Sequence, residues 1–158
     1  LNDYEKHNFF FAIIFLTSTN SFPKTIIGKA QIIDGDTIHI NNNKIRLHGI
    51  DAPETKQTCK IDTEEWFCGK QSTNELKKII NNQTVECVVN DVDIYNRYLA
   101  ICSSNNINLN QWMVKNGWAI AYRYYSKDYI DEEKFALDNN LGIWKSEFIE
   151  PYQYRKNN

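Results

Sequence analysis

The sequence predicts a mainly β domain of the α+β class, in which a five-stranded barrel carries three helices. Short runs rich in β-branched and aromatic residues follow residue 24 and return after residue 83, with turn-forming residues between them. Segments with apolar residues at helical spacing separate and follow those runs. A length of 158 residues with 42% hydrophobic content suits a single domain with one core.

Residues 25–50 are predicted to form three strands in a meander. The strand-like runs are TIIGKAQII, TIHI and KIRLHGI. They are separated by Asp34-Gly35-Asp36 and by Asn41-Asn42-Asn43, which are typical of tight turns. Residues 51–68 contain Pro53, many polar residues and two cysteines, and we expect them to form a loop.

The spacing of apolar residues predicts the helices and strands that follow residue 68. Leu76, Ile79 and Ile80 recur at helical spacing within residues 69–82, which predicts a helix. Further strands are predicted at 84–90, 97–102 and, briefly, 118–122, and further helices at 107–116 and 130–140. Three strands, a helix, two strands and two helices in this order suit a Greek-key barrel of the OB-fold type.

The N-terminal segment predicts export to the periplasm or to the exterior. Lys6 and His7 precede the apolar run FFFAIIFL, and small polar residues follow it, as in a signal peptide. As a helix this run would reach only about 12 Å, which is too short for a bilayer of roughly 30 Å. We expect residues 1–21 to be a signal peptide, with no stable membrane insertion after its removal, and residues 22–158 to be the domain. The alternative is a first strand or buried helix of the fold.

Four cysteines predict two disulfides in an exported chain: Cys59, Cys68, Cys87 and Cys102. The sequence has neither a CxxC motif nor a Cys/His pair at zinc spacing, which argues against a structural zinc site. Three pairings are possible. A regular hairpin of the fourth and fifth strands would place Cys87 opposite Cys102, with its turn between Ile94 and Tyr95, and Cys59 and Cys68 would close their own loop.

The charged residues suggest a site for an anion held beside a cation. Asp34, Asp36 and Asp51 lie at a strand turn and after a strand end, and oxygen ligands without His or Cys favour calcium or magnesium. Taken alone, Asp-Gly-Asp is more often only a hairpin turn. The formal net charge of −2 gives no overall positive field, so any contact with nucleic acid must be local.

Two arginines and a glutamate allow two interpretations each. The Arg46 guanidinium can donate two hydrogen bonds to phosphate oxygens, or Arg46 can be an exposed strand residue. Arg97 can do the same or belong to a polar hairpin tip. Glu54, after Pro53, can be a general base or a loop carboxylate.

Five segments read together resemble the staphylococcal nuclease (thermonuclease) family: IIDGDTIHI, IRLHGIDAPET, DIYNRYLA, WMVKNGWAIAY and LGIW. The resemblance covers about residues 25–147. It implies that Asp36 and Asp51 bind Ca²⁺ through their carboxylates, with Asp34 in the outer shell. It also implies a backbone carbonyl ligand from the residue after the second aspartate. Here that residue is Ala52, where the family often has threonine, and a backbone ligand tolerates the change.

The resemblance assigns the other residues as well. Arg46 and Arg97 match the phosphate-binding arginines, and Glu54 matches the general base. Three tyrosines fall where the family lines its nucleotide pocket, although core or surface packing also suits each of them: Tyr95, Tyr122 and Tyr124.

The implied function is calcium-dependent hydrolysis of DNA and RNA by a monomer, with little sequence preference and 3′-phosphorylated products. The alternative is a catalytically weak or inactive OB-fold module that binds nucleic acid. The retained acidic and arginine residues favour the enzyme. One departure is the segment TKQTCKIDTEEWFC, where staphylococcal members carry a flexible, lysine-bearing loop. A loop closed from Cys59 to Cys68 resembles the variant common among Gram-negative relatives.

Overall fold

The structure is a computed structural model that describes residues 23–158. The predicted signal peptide, residues 1–21, lies outside the described residues. None of the helices within residues 23–158 is long and apolar enough to cross a membrane.

Eleven strands and four α-helices form in this part of the chain. The strands are β1 (Thr25–Lys29), β2 (Gln31–Ile32), β3 (Thr37–Ile40), β4 (Asn43–Leu47), β5 (Ile50–Asp51), β6 (Cys59–Ile61), β7 (Glu64–Trp66), β8 (Thr84–Val92), β9 (Tyr98–Ser104), β10 (Ile107–Asn108) and β11 (Ile120–Ala121). The helices are α1 (Cys68–Ile80), α2 (Leu109–Lys115), α3 (Ile130–Asp138) and α4 (Pro151–Asn157), and a 3₁₀ helix spans Gly142–Lys145.

The main sheet has the order β1-β8-β9-β4-β3-β2, and β10 pairs with β9. Strands β1 and β2 are two halves of one strand that is interrupted at Ala30, and they lie at opposite ends of this order. The first strand therefore joins both ends of the curled sheet. Among the described strands of this sheet only β4 and β9 pair in parallel, and the other pairs are antiparallel. With β1 and β2 counted as one, five principal strands form the barrel, and the predicted fold class is confirmed.

The core lies between this sheet and the helices. Ile38, Ile45 and Leu47 of the meander are fully buried. Helix α1 buries Leu76 and Ile80 against them and exposes its lysine face, as its periodicity predicts. It ends at Asn81–Asn82, the predicted position, because Asn81 adopts a left-handed conformation and its N–H bonds back to the carbonyl of Lys77.

Both disulfides form with the predicted pairings, and the described chain has no free cysteine. Cys87 and Cys102 lie directly opposite each other in β8 and β9. A bulge between Val89 and Asp91 shifts the register beyond them. The turn therefore spans residues 93–97 and is centred on Tyr95, half a residue beyond the predicted point.

Two predictions about secondary structure were wrong. Residues 51–68 are not only a loop, because β6 and β7 form a hairpin that Cys59–Cys68 closes. The count of three helices omitted α4. Pro151 stands at the first turn of α4, where its missing N–H costs no hydrogen bond.

Candidate active site

The turn between β2 and β3 holds Asp36 in place. Its backbone carbonyl accepts a hydrogen bond from the N–H of Leu47 at 2.8 Å. Its side chain accepts from the N–H of Ala52 at 2.9 Å and from the Thr37 hydroxyl at 3.0 Å. Gly35 is required here, because a Cβ would lie 2.1 Å from Oγ of Ser72 in α1. The turn is therefore packed tightly against α1 and the start of the segment after β5.

Arg46 joins the two predicted metal-binding aspartates. Its register in β4 places it opposite Thr37, next to Asp36. Nη1 donates to Oδ1 of Asp36 at 2.8 Å, and Nη2 donates to Oδ1 of Asp51 at 2.7 Å. Asp36, Asp51 and Arg46 are 2%, 0% and 8% exposed. The structure thus brings these three residues together in a buried cluster.

The cluster carries more negative than positive charge. Burial raises the pKa of Asp51 and the charge of Asp36 adds to it, although Arg155 and Arg46 act in the opposite direction. Burial and the charge of Asp36 raise the pKa of Asp34 to about 7. Burial alone would lower the pKa of Arg46, but the two aspartates raise it overall, so Arg46 stays charged. An added cation would relieve this excess of buried carboxylates.

Glu54 lies beside the cluster, on the loop after Pro53. Its backbone is fixed by Gln57, whose N–H donates to the Glu54 carbonyl at 2.7 Å and whose side chain accepts from the Glu54 N–H at 3.2 Å. Gly69 at the start of α1 packs against the same carbonyl so closely that a Cβ would lie 1.7 Å from it. The side chain of Glu54 is 35% exposed and can reach solvent.

A second arginine completes the cluster, and sequence reasoning missed it. Arg155 in α4 donates from Nη1 to Oε1 of Glu54 at 3.0 Å. Its Nη2 lies 2.8 Å from Oδ1 and 3.1 Å from Oδ2 of Asp51. The only signal in the sequence was Pro151 after Glu150, which is typical of a helix start and says nothing about where the helix packs.

Arg97 and Tyr95 are not brought into this cluster. Arg97 donates from Nε to Asp93 of its own hairpin at 2.8 Å, and its guanidinium lies 5.5 Å from the ring centre of Tyr95. Within the described part of the chain, neither residue forms a hydrogen bond or ion pair with the carboxylates of the site. Strand periodicity nevertheless places Arg97 on the face of Arg46, about 7 Å along the strand, because Leu99 lies opposite Arg46.

The other two predicted tyrosines lie next to Asp51. Tyr122 and Tyr124 line a cleft of about 210 Å³ together with Asp51 and Tyr152. The ring of Tyr122 is 6.2 Å from those of Tyr124 and Tyr152. Tyr124 is 83% exposed, so its ring is available to a ligand as well as to its neighbours.

The donor set fits a hard cation. Between residues 23 and 158, no group of three His, Cys, Asp or Glu side chains is arranged as a ready metal site. Two buried carboxylates lie within reach of one guanidinium, however, and the carbonyl of Ala52 follows Asp51 directly. Two carboxylates, one carbonyl and waters are oxygen ligands of the kind that Ca²⁺ accepts.

Comparisons with known proteins identify the family of the chain. Residues 44–146 match the family model described as "Staphylococcal nuclease homologue". An "Uncharacterized endonuclease" of Haemophilus influenzae is 32% identical over 152 residues, covering 91% of this chain and 80% of that protein. The "Succinoglycan biosynthesis protein ExoI" of Rhizobium meliloti is 29% identical over 140 residues, covering 86% of this chain and 73% of that protein. The "Probable staphylococcal-like nuclease CAN3" of Oryza sativa subsp. japonica is 32% identical over 124 residues. That match covers 77% of this chain, which spans only 30% of the length of the rice protein.

Proposed function

The chain belongs to the staphylococcal nuclease family, and from this we propose that it is a calcium-dependent endonuclease. It would hydrolyse phosphodiester bonds of DNA and RNA with little sequence preference and leave 3′-phosphorylated products. The observation that carries the proposal is the buried bridge from Arg46 to Asp36 and Asp51, with Glu54 beside it. The names of relatives as nuclease and endonuclease support the same reaction class.

Asp36, Asp51 and the carbonyl of Ala52 would hold the Ca²⁺, with Asp34 in the outer shell. When bound, calcium would supply positive charge against the charge that accumulates on the phosphoryl oxygens in the transition state. Only hard oxygen donors are present in this set, and their excess negative charge favours a divalent cation.

The side chains of the site have distinct roles in the proposed reaction. Arg46 donates hydrogen bonds to the oxygens of the scissile phosphate and stabilises the transition state. Glu54 accepts a proton from the attacking water, for which Oε2 is free because Arg155 occupies Oε1. The water oxygen bonds to phosphorus, the bond from phosphorus to the 5′ oxygen breaks, and that oxygen takes a proton from solvent. The products are a 3′-phosphate and a 5′-hydroxyl.

Substrate binding would rely on contacts that ignore base identity. Tyr122 and Tyr124 would stack on a base or sugar beside Asp51, while Arg97 would turn from Asp93 to a phosphate. Tyr95 would extend the same surface from the hairpin tip. Stacking and phosphate contacts are tolerant of sequence, which is why little preference is expected.

The remaining parts of the proposal concern the setting of the enzyme. Two disulfides suit an oxidising compartment, so we place the protein in the periplasm or outside the cell, exported by the signal in residues 1–21. It would act there as a monomer. The alternative function is binding of nucleic acid without cleavage, which the OB-type barrel also supports.

The decisive experiment incubates purified protein with labelled single-stranded DNA and RNA. The samples contain calcium, magnesium or a chelator. We expect cleavage in calcium, less in magnesium and none in the chelator, with 3′-phosphate ends. Equal cleavage in calcium and in the chelator would refute the metal dependence. Tight binding without cleavage in calcium would favour the binding module.

A further inference from the structure

The contacts of Arg155 join two carboxylates to which the proposed function gives different roles. One branch of its guanidinium holds Oε1 of the proposed base Glu54, at 3.0 Å, and the other holds the proposed metal ligand Asp51, at 2.8 Å. The Arg155 side chain is 31% exposed and Asp51 is fully buried, so Arg155 lies between Asp51 and solvent on one side of the cluster. Arg155 is 104 residues from Asp51 in the chain, so the contact depends on the tertiary fold.

Two further contacts fix the segment that leads to α4. Lys60 in β6 and Glu147 exchange backbone hydrogen bonds, both of 2.8 Å, as neighbouring strands do. The buried side chain of Gln57 donates to the carbonyl of Ile149 at 2.6 Å. Gln57 also holds the backbone of Glu54, so one residue ties both the base and the approach to α4. Helix α4 is therefore held in a defined position relative to Glu54.

The chemistry of the guanidinium explains why an arginine stands here. Its planar fork can donate to two carboxylates at once, which the single ammonium of a lysine cannot match. Glu54 is on a loop and partly exposed, so without a partner its side chain would sample several rotamers. Holding Oε1 leaves Oε2 in one position from which to accept a proton.

We propose that Arg155 is a positioning residue of the active site, which acts by holding the Glu54 carboxylate in its working orientation. This inference rests on the proposed function, because it assigns Arg155 to the reaction that Glu54 would assist. Gln57 lies just before the disulfide-closed hairpin and binds the carbonyl of Ile149 just before α4. The hairpin and α4 therefore support the base together.

The charge of Arg155 gives the proposal a second, independent readout. Arg46 and Arg155 face the carboxylates of Asp36, Asp51 and Glu54. Loss of one positive charge beside Asp51 should strengthen the attraction of Ca²⁺ for the site. Loss of the fork should at the same time slow turnover. A helix that only supports the fold would behave differently, because loosening the site would weaken calcium binding and turnover together.

The experiment compares Arg155→Gln, Arg155→Lys and the control Lys156→Gln. Lys156 follows Arg155 on α4, is exposed, and lies 4.7 Å from the ring centre of Tyr152. Calcium affinity is measured by titration calorimetry without nucleic acid, and kcat is measured at saturating calcium. We expect Arg155→Gln to bind calcium at least about fivefold more tightly and to lose about tenfold or more in kcat. Arg155→Lys should keep near-wild-type calcium affinity and show the loss in kcat, and Lys156→Gln should change neither.

A double-mutant cycle tests whether Arg155 acts through Glu54. In a Glu54→Gln background, Arg155→Gln should lower kcat no further, since the group that it positions has lost its function. A full additional loss would overturn the proposal, as would wild-type kcat in both Arg155 variants, or weaker calcium binding together with a lower melting temperature. Absence of calcium-dependent cleavage by the wild-type protein would instead refute the proposed function itself.

Discussion

Arg46→Lys is the substitution whose effect on stability follows most directly from the structure. Arg46 donates two short hydrogen bonds, 2.8 Å to Asp36 and 2.7 Å to Asp51, and all three residues are buried. A lysine keeps the charge but offers one nitrogen, which cannot occupy both positions of the fork. One of the two aspartates then loses a charged donor in a buried site.

The expected cost can be estimated from that loss. A hydrogen bond to a charged group contributes about 1.5–3 kcal/mol, and a buried carboxylate oxygen left without a partner adds to the penalty. We therefore expect Arg46→Lys to lower the free energy of unfolding by about 3 kcal/mol in the absence of calcium. For a domain of this size each kcal/mol shifts the melting temperature by about 4 °C, so the shift should be about 12 °C.

The assay is thermal unfolding with a chelator and again with calcium, followed by measurement of kcat. Calcium should restore part of the lost stability, because it would neutralise the same carboxylates, while kcat should remain about 10²-fold lower. Arg123→Lys is the control for stability. The side chain of Arg123 is 60% exposed and pairs with Glu133, so its substitution should cost no more than about 0.5 kcal/mol. A melting temperature of Arg46→Lys within about 2 °C of wild type in the chelator would refute the reasoning.

Other substitutions test the remaining roles. Glu54→Gln should lower kcat by about 10² or more with nucleotide binding almost unchanged, as loss of a general base does, and near-wild-type turnover would make Glu54 a loop carboxylate. Arg97→Lys should cost about 10² in kcat, measured by steady-state kinetics, with little change in melting temperature; wild-type turnover would remove Arg97 from the site. Without calcium, the pKa of Asp34 is about 7 in the fold against an ordinary value of 3.8, so its protonation favours the native state. That stabilisation is complete below about pH 4 and is lost as the pH rises through 7, by on the order of 4 kcal/mol. Urea denaturation from pH 5 to 8 should show a steeper loss of stability with rising pH in wild type than in Asp34→Asn, and equal slopes would contradict this origin.

The part of the site that the sequence predicts is local in the chain. Asp36 directly precedes β3, and Arg46 lies in β4 of the same hairpin, in which Thr37 lies opposite Arg46. Asp51 follows within a few residues. Turn signals and strand alternation therefore suffice to bring these side chains together, and the family resemblance adds their roles.

The part that the sequence did not predict depends on distant contacts. Arg155 reaches Glu54 across 101 residues of chain because Gln57 binds Ile149, and no periodicity or turn signal encodes that contact. The hairpin of β6 and β7 was not predicted for another reason. Its strands have three residues each, which is too short for an alternating pattern to be recognised.

The interruption of the first strand at Ala30 affects the order in which the parts of the barrel fold. Thr25 pairs with Val88 late in the chain, whereas Gln31 pairs with the nearby His39. Pairing with β8 requires closure of a long loop, and the entropic cost of closure arises before any contact can offset it. Such topologies fold in milliseconds to seconds rather than microseconds. Until β1 is in place, β8 presents a free edge whose N–H and C=O groups can pair with another chain. Refolding at high concentration therefore competes with edge-to-edge aggregation, and dilution should improve the yield of native protein.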